Sequence, residues 1–406
     1  MNIKMEETKK YSKMLIPSIL SVSVLTIMAP TAVSPALAAI RDAFPHISET
    51  QAKLVLTLPT LIMMPIGLFS ARLTAKIDKK KLLLTGMILF LVFGVAGGFV
   101  NDFRLLLLMR LFFGIGLGIM TPLSTSLIFD FAPDTNKRSK LLGLQGSFNQ
   151  LGGLLFMSLS GVLASISWRY SFLCYAFVVI SIVLTALFMP SIPPLASPKN
   201  AAGGVGKKTG MNKKIFVLAF FAMMIFACYF VINTDLALFM DVEGIGNAKE
   251  CGYALSLMRI PAIIAGVLLA WIMRNLKDWT MPFATVIMAA GYVIIACSHS
   301  YSVLMAGCLV VGLGGGFALP PISLFLPRIV TPRQRTLGVA IIMSVAQVGQ
   351  FVSPLYTDLF VDNSMDGSGR MRFIVCAVTS VIIGFLVVAF AHTLPKKPLE
   401  NCISTK

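Results

Sequence analysis

Two stretches of this chain, far apart in the sequence, are copies of one another, and both lie inside long apolar runs. RLFFGIGLGIMTP, residues 110–122, carries Gly114, Gly116, Gly118 and Pro122. CLVVGLGGGFALP, residues 308–320, carries Gly312, Gly314, Gly316 and Pro320 at the same offsets. The copies differ at their first position, where Arg110 stands against Cys308. An internal repeat of this kind implies two structural units of one plan, here with a charge in one unit only.

The apolar runs fix the solvent. Of 406 residues, 57% are hydrophobic and 13% charged, against roughly 25% charged in a soluble domain. A helical span needs about 20 apolar residues. Twelve stretches meet that need, at 14–38, 51–71, 82–100, 103–129, 142–164, 170–190, 215–240, 251–273, 281–298, 302–327, 337–359 and 371–393. They are too long, and alternate too little, for barrel strands. The expected fold is an all-α membrane protein of twelve transmembrane helices.

The formal charge of +17 would suit a nucleic-acid partner if it were spread over one face. It is not. With an even number of spans both termini share a side, and about 25 of the 34 Lys and Arg fall on that side. This is the positive-inside bias, and it predicts cytoplasmic termini in a multi-pass protein of the plasma membrane. Basic residues beside anionic headgroups need no nucleic acid. The seven Cys are scattered, with no CxxC or His-rich cluster, so they read as small apolar core residues and no metal site is expected. The basic N-terminus runs into a long apolar span with no clear cleavage site, which predicts a retained first span.

Residues 191–214, SIPPLASPKNAAGGVGKKTGMNKK, form the one long polar break. Rich in Pro, Gly and Lys, they predict a flexible cytoplasmic linker between a bundle at 1–190 and a bundle at 215–406. The repeat extends beyond the glycines. Gln150-Leu-Gly152 in span five mirrors Gln347-Val-Gly349 in span eleven, and Gly67 with Ala71 in span two mirrors Gly266 with Ala270 in span eight.

On these residues the chain resembles the major facilitator superfamily over nearly its whole length. The Arg-x-x-x-Gly-x-Gly-x-Gly of 110–118 is similar to that superfamily's fourth-helix motif. GLFSARLTAKIDKKKLLL, residues 67–84, resembles its loop 2–3 motif in degraded form, with Ala71, Ala75 and Asp78 where the family usually has Gly, Asp and Gly. Trp168-Arg169-x-x-Phe172 after span five is also typical. The Gly-Pro that drug–proton antiporters of the family often carry in span five is absent, Phe156 and Met157 standing there. The resemblance implies two pseudo-symmetric six-helix bundles whose spans four, seven and eight border a central cavity.

Ionisable groups inside a bilayer are expensive, so each is a functional candidate. Arg110 and Arg259 lie about 10 and about 12 Å from the outer ends of spans four and eight, and Asp235 about 7 Å inside the outer end of span seven. Arginine stays protonated, so Arg110 and Arg259 can bind an anion or hold a carboxylate ionised, but cannot carry a proton. Asp235, the one acid well inside a span, is the candidate proton carrier. The three together predict a net positive site suited to a carboxylate-bearing solute. Gln150 and Gln347, at equivalent places, together with Asn149, Asn233, Thr60 and Tyr229, are further polar candidates for substrate contact or interhelical bonding. Asp130 ends span four, where a helix C-terminus disfavours negative charge. It is expected to pair with Arg72, Lys76, Lys79 or Arg138 and to gate at the cytoplasmic rim. The glycines of 114–118 lie within a span and not in a βαβ unit, so they read as packing positions and no nucleotide is implied.

No Walker sequence is present and no cofactor is implied. The resemblance and the repeat point to a monomeric secondary transporter of a small organic solute, alternating access between two sides of the bilayer. Proton-coupled export is the leading expectation. Uptake or exchange of an organic anion is the alternative favoured by the two arginines, and a transporter-like membrane sensor is a third. The sequence carries no HExxH, no Ser-His-Asp set and no paired acids in its spans, so an enzyme is not expected.

Overall fold

The computed structural model describes residues 14–28, 31–74, 76–131, 135–194, 212–318, 322–330, 335–361 and 369–395. The basic N-terminus, the linker from 195 to 211, Ala75, Pro320 and the tail beyond 395 lie outside them, as do the side chains of Ala71, Arg72, Arg138 and Ala270. Among the described residues all regular structure is helical. Nine helices there are long and apolar enough to cross a bilayer, and helical segments fall on all twelve apolar stretches.

The chain divides into two compact units. The first comprises residues 1–33 and 58–208, the second 34–57 and 209–406. Residues 34–57 therefore belong with the second unit, and one helix, α3 below, passes from the second unit to the first.

The first unit holds α1 (Leu15–Met28), the rest of α3 from Leu58 onward, α4 (Lys79–Ala96), α5 (Phe103–Phe131), α6 (Thr135–Ile166), a 3₁₀ segment (Trp168–Phe177) and α7 (Val178–Phe188). The second holds α2 (Leu37–Ala43), the start of α3 (Glu49–Leu73), α8 (Lys214–Val242), α9 (Ala248–Leu257), α10 (Arg259–Leu276) and α11 (Thr280–Ala296). It continues with α12 (Tyr301–Ala318), α13 (Ile322–Ile329), α14 (Arg335–Val361) and α15 (Gly369–His392). The break between α9 and α10 follows from Pro261, whose missing N–H leaves the Leu257 carbonyl without its helical donor. Pro59, Pro65, Pro122 and Pro354 lie inside their helices instead, as membrane helices allow when neighbours satisfy the freed backbone groups.

The repeated glycines do the same job twice. A Cβ added at Gly114 would meet the Pro59 carbonyl oxygen of α3 at 2.8 Å, and one at Gly312 would meet the Met258 carbonyl oxygen at the α9–α10 break at 2.0 Å. At Gly116 it would meet the Gly86 oxygen of α4 at 2.8 Å, and at Gly314 the Met288 nitrogen of α11 at 2.5 Å. The Gln-x-Gly pair repeats the pattern: a Cβ added at Gly152 would meet the Val24 oxygen of α1 at 2.2 Å, and one at Gly349 the Met223 oxygen of α8 at 2.1 Å. Small residues here allow backbone-to-backbone approach, the packing mode of helices that have no hydrophobic drive to associate in lipid.

Local signals set the helix ends. Asp78 caps α4, its Oδ1 accepting from the N–H groups of Lys80 and Lys81 at 2.8 and 3.2 Å. Burial pushes the Asp78 carboxyl up. The hydroxyl of Ser191 and the N–H groups of Lys81, Lys80 and Ile192 outweigh it and hold the group below the ordinary carboxylate range. Asn247 and Glu250 form a reciprocal capping box on α9. Gly244, at φ 64°, turns the chain out of α8.

Beside that turn, Glu243 accepts two bonds from the Arg370 guanidinium, that from Nε at 2.8 Å. Arg370 holds the Glu243 carboxyl below its ordinary value, against a smaller upward push from burial. A carboxylate lowered in the folded state contributes stability above its unfolded titration and loses it as pH falls through the folded value. Glu243→Gln is therefore expected to lower the melting temperature at pH 7 by about 1–3 °C, as a partly exposed bidentate pair allows. The gap to wild type should narrow as pH falls below the ordinary glutamate range and through the lowered folded value. Paired melts at pH 7 and pH 3.5 check this; a gap unchanged by acid would contradict the assignment.

Candidate functional site

The second unit gathers a charge network from four helices. It begins with local structure. Ser48 and Gln51 cap α3 reciprocally, the Ser48 N–H donating to Gln51 Oε1 at 2.9 Å and the Gln51 N–H to Ser48 Oγ at 3.2 Å. With the helix started there, Glu49, Thr50 and Lys53 share one face by the three- and four-residue spacing.

Lys53 Nζ lies 2.7 Å from Asp235 Oδ1 on α8 and 2.7 Å from Asp358 Oδ1 on α14. Arg372, in the first turn of α15, donates from Nε to Asp358 Oδ1 at 2.9 Å, stands 3.4 Å from Asp235 Oδ1 and reaches Glu49 Oε2 at 2.7 Å. Two hydroxyls complete the carboxylates: Thr50 donates to Asp358 Oδ2 at 2.7 Å and Thr234 to Asp235 Oδ2 at 2.6 Å. Lys53 is 0% exposed, Asp235 1% and Asp358 4%. At its rim Arg41 bonds Asp241 at 2.7 Å and Asp42 at 2.8 Å, and lies 3.5 Å from Glu49.

Burying ions costs several kcal/mol each, recovered only where geometry is good and the remaining lone pairs are satisfied. The network meets that condition while it is closed. Its carboxylates (Asp42, Glu49, Asp235, Asp241, Asp358) outnumber its cations (Arg41, Lys53, Arg372). Asp42 and Asp241 stand exposed at the rim, and the buried core sets Asp235 and Asp358 against Lys53 and Arg372, so withdrawing a cation leaves an uncompensated buried carboxylate, which favours proton uptake.

Of the residues singled out in the sequence, Asp235 sits at the centre of this network, away from water. Arg259 is in the same unit, 5% exposed, in the first turn of α10. Asn233, on α8, is buried with its Oδ1 lacking a hydrogen-bond donor. The Tyr229 ring packs on α12, where a Cβ at Gly315 would strike it at 2.1 Å. Gln347 is half-buried on α14.

Arg110 has different surroundings. It is 1% exposed, and its guanidinium carbon lies 4.3 Å from the Phe172 ring centre, 5.0 Å from Phe113 and 5.1 Å from Tyr175. Nη1 donates to the Tyr175 hydroxyl at 3.1 Å, while Nε and Nη2 have no hydrogen-bond partner among the described residues. These contacts all belong to the first unit, whereas those of Asp235 belong to the second. The aromatic box, and not a wet cavity, surrounds Arg110. Cation–π contacts of about 0.5–2 kcal/mol offset part of its desolvation. Arg110→Met should therefore keep the fold and melt no lower than wild type, because an apolar chain of similar length fills an apolar box without an ion to desolvate. Arg110→Ala, which leaves a void, should lose about 2–4 kcal/mol. Melting the two variants side by side checks this, and an Arg110→Met protein that unfolds would contradict it.

In the first unit Asp130, at the end of α5, pairs with Lys79 at 2.6 Å, and Lys79 also bonds Ser126 at 2.9 Å. Lys76 is exposed. Asn149 accepts from Thr26 at 3.5 Å. Gln150 is half-buried, and Thr60 is buried. The amide most engaged on α6 is Gln145, which donates to Ser23, Ser124 and Thr125 at 3.2, 3.0 and 3.4 Å.

Sequence reading missed Lys53, Glu49, Asp358 and Arg372 as partners of Asp235. One signal was available: an ammonium between Ala52 and Leu54, inside an apolar run, demands a buried counterion.

Comparison with known proteins agrees with the architecture. The family model described as Major Facilitator Superfamily matches residues 19–287 and again 252–403. The "Quinolone resistance protein NorA" of Staphylococcus aureus is 22% identical over 342 residues, covering 80% of this chain and 84% of that protein. The "Probable sugar efflux transporter" of Mannheimia succiniciproducens is 22% identical over 242 residues, 59% of each chain. Among solved structures, the nucleoside transporter NupG superposes with a TM-score of 0.77 at 13% identity over 93% of this chain and 99% of that one. The inward-open xylose transporter XylE from E. coli gives 0.74 at 14% identity over 95% and 97%. At such identities the structures show a shared fold alone. With the family match spanning nearly the whole chain and the fold in agreement, this chain belongs to the Major Facilitator Superfamily and is a membrane transporter, not an enzyme.

Proposed function

We propose that this transporter is a proton-coupled exporter of a small organic compound, with Asp235 carrying the proton. The observation that supports it is the Lys53–Asp235–Asp358 arrangement: a carboxylate buried at 1% exposure whose nearest cation is an ammonium shared with a second acid. A cation beside a buried carboxylate favours its charged form, and withdrawing the cation favours the neutral acid. With cytoplasmic termini, which the basic-residue bias supports, the network lies near the outer ends of α3, α8, α14 and α15. A proton entering from outside would then exchange for solute leaving. Two relatives bear names of resistance and efflux, which supports export. The plasma membrane is the proposed location. The Lys79–Asp130 pair is proposed to hold the opposite, cytoplasmic rim in one gate state and to part in the other. The enclosure of Arg110 in rings removes the main support for an organic-anion carrier.

The test is flux in proteoliposomes under an imposed pH gradient, against a panel of fluoroquinolones, cationic dyes, sugars and carboxylates. Gradient-dependent transport of dyes or fluoroquinolones is expected. Saturable competition among carboxylates, with no response to the gradient, would replace this reading with the anion carrier.

A further inference from the structure

Lys53 belongs to no motif quoted above, yet it is the fully buried member of the network on which both central acids depend. The two acids are not held alike. Asp358 accepts from Lys53, from Arg372 Nε at 2.9 Å and from Thr50. Asp235 has Lys53 within ion-pair distance, but among the described residues no donor is aligned for a hydrogen bond to its Oδ1. Its Oδ2 is bonded by Thr234, a neighbour on its own helix. Withdrawing Lys53 leaves Asp358 with Arg372, and leaves Asp235 with no cation nearer than that guanidinium at 3.4 Å.

We propose that Lys53 is the positioning residue of the coupling step: its ammonium, shared by Asp235 and Asp358, makes the closed network and a protonated Asp235 mutually exclusive. The proposal rests on the proton-coupled reading above. The step is a proton transfer without redox change. Hydronium from the aqueous side gives its proton to a carboxylate oxygen of Asp235, which becomes a neutral acid, and closing the network returns that proton to water as Lys53 Nζ re-enters. The charged and titratable groups facing the pair are Glu49 and Lys53 from α3, Asp358 from α14, and Arg372 with the Cys376 thiol from α15. Arg41 from α2 reaches Glu49. Of these, Lys53 alone contacts both acids with a single ammonium that has no other ion-pair partner among the described residues. Arg372 divides its guanidinium among three carboxylates.

The experiment is infrared difference spectroscopy of the full chain in nanodiscs, titrating pH and following the C=O band of protonated carboxyl groups. Wild type should show a component that Asp235→Asn removes. In Lys53→Met that component should persist to higher pH than in wild type, and Lys53→Arg should restore the wild-type behaviour. Asp358→Asn, which leaves the ammonium to Asp235 alone, should move it to lower pH. These opposite shifts, with rescue by arginine, are not produced by a merely structural role. A Lys53→Met protein that titrates like wild type, or an Asp235→Asn protein that keeps the component, overturns the proposal. Flux separates the two levels. Wild-type transport blind to a pH gradient overturns proton coupling and this proposal with it. Coupled wild-type transport with an unshifted Lys53→Met titration overturns this proposal alone.

Discussion

Gly312→Ala will give no folded transporter. The added methyl carbon falls 2.0 Å from the Met258 carbonyl oxygen, less than any real carbon–oxygen contact. That oxygen is backbone, so no rotamer change relieves the clash. It also lies at the α9–α10 break, beside Pro261, where the chain is already short of a hydrogen bond. Relief requires α12 to withdraw from α9 and α10. Gly314 and Gly316 of the same helix pack closely too, a Cβ added there falling 2.5 Å from the Met288 nitrogen of α11 and 2.7 Å from the Ala265 Cβ of α10, so withdrawal breaks several contacts at once. Overpacking of a tight core costs about 1–3 kcal/mol where side chains give way. Here the backbone must move, and the loss should exceed that range. Gly349→Ala, meeting the Met223 oxygen at 2.1 Å, should behave alike. Gly266→Ala and Gly146→Ala, with nothing within 4 Å, should be neutral or slightly stabilising. Size-exclusion profiles of detergent extracts report the outcome. A monodisperse Gly312→Ala peak at wild-type yield would contradict the packing described.

The fold was legible because its signals are local and repeated. Apolar runs of span length, the glycine spacing at 114–118 and 312–316, and the Gln-x-Gly pair each need only a few neighbouring residues to be read. The structure gives the glycines a common cause, equivalent backbone contacts in both units. The network was legible only at Asp235, an acid inside an apolar run. Its partners come from helices far apart in sequence, and nothing local says that residue 53 meets 235 and 358. Asp358 and Arg372 each stand near the end of an apolar run, where hydropathy alone reads them as interfacial. Arg110 shows the converse. Its charge in a span marked it as a candidate, but the rings that enclose it, Phe172 and Tyr175, belong to a later segment. Among the α6 amides, Gln145 and Gln150 look alike in sequence, and only packing distinguishes the one that bonds three hydroxyls.

The second large effect is expected at Asp235. Asp235→Asn keeps the side chain's shape and its bond with Thr234 but can neither gain nor lose a proton. It leaves Lys53 with Asp358 as its counterion, so the network keeps one complete pair and the fold should survive. Coupling should not. Equilibrium exchange of labelled for unlabelled compound should continue, because it needs no net proton movement, while concentrative transport should vanish. Asp235→Glu should retain partial coupling, because its carboxyl titrates but its longer arm disturbs the contact with Lys53.

One proton per solute molecule, driven by one pH unit, is worth about 1.4 kcal/mol, a tenfold concentration ratio. The decisive measurement is that ratio for a transported fluoroquinolone or dye, in proteoliposomes holding a one-unit pH gradient with the membrane potential clamped at zero. The account predicts a ratio of about ten for wild type and about one for Asp235→Asn, with exchange intact in both. Accumulation by Asp235→Asn equal to that of wild type would contradict it.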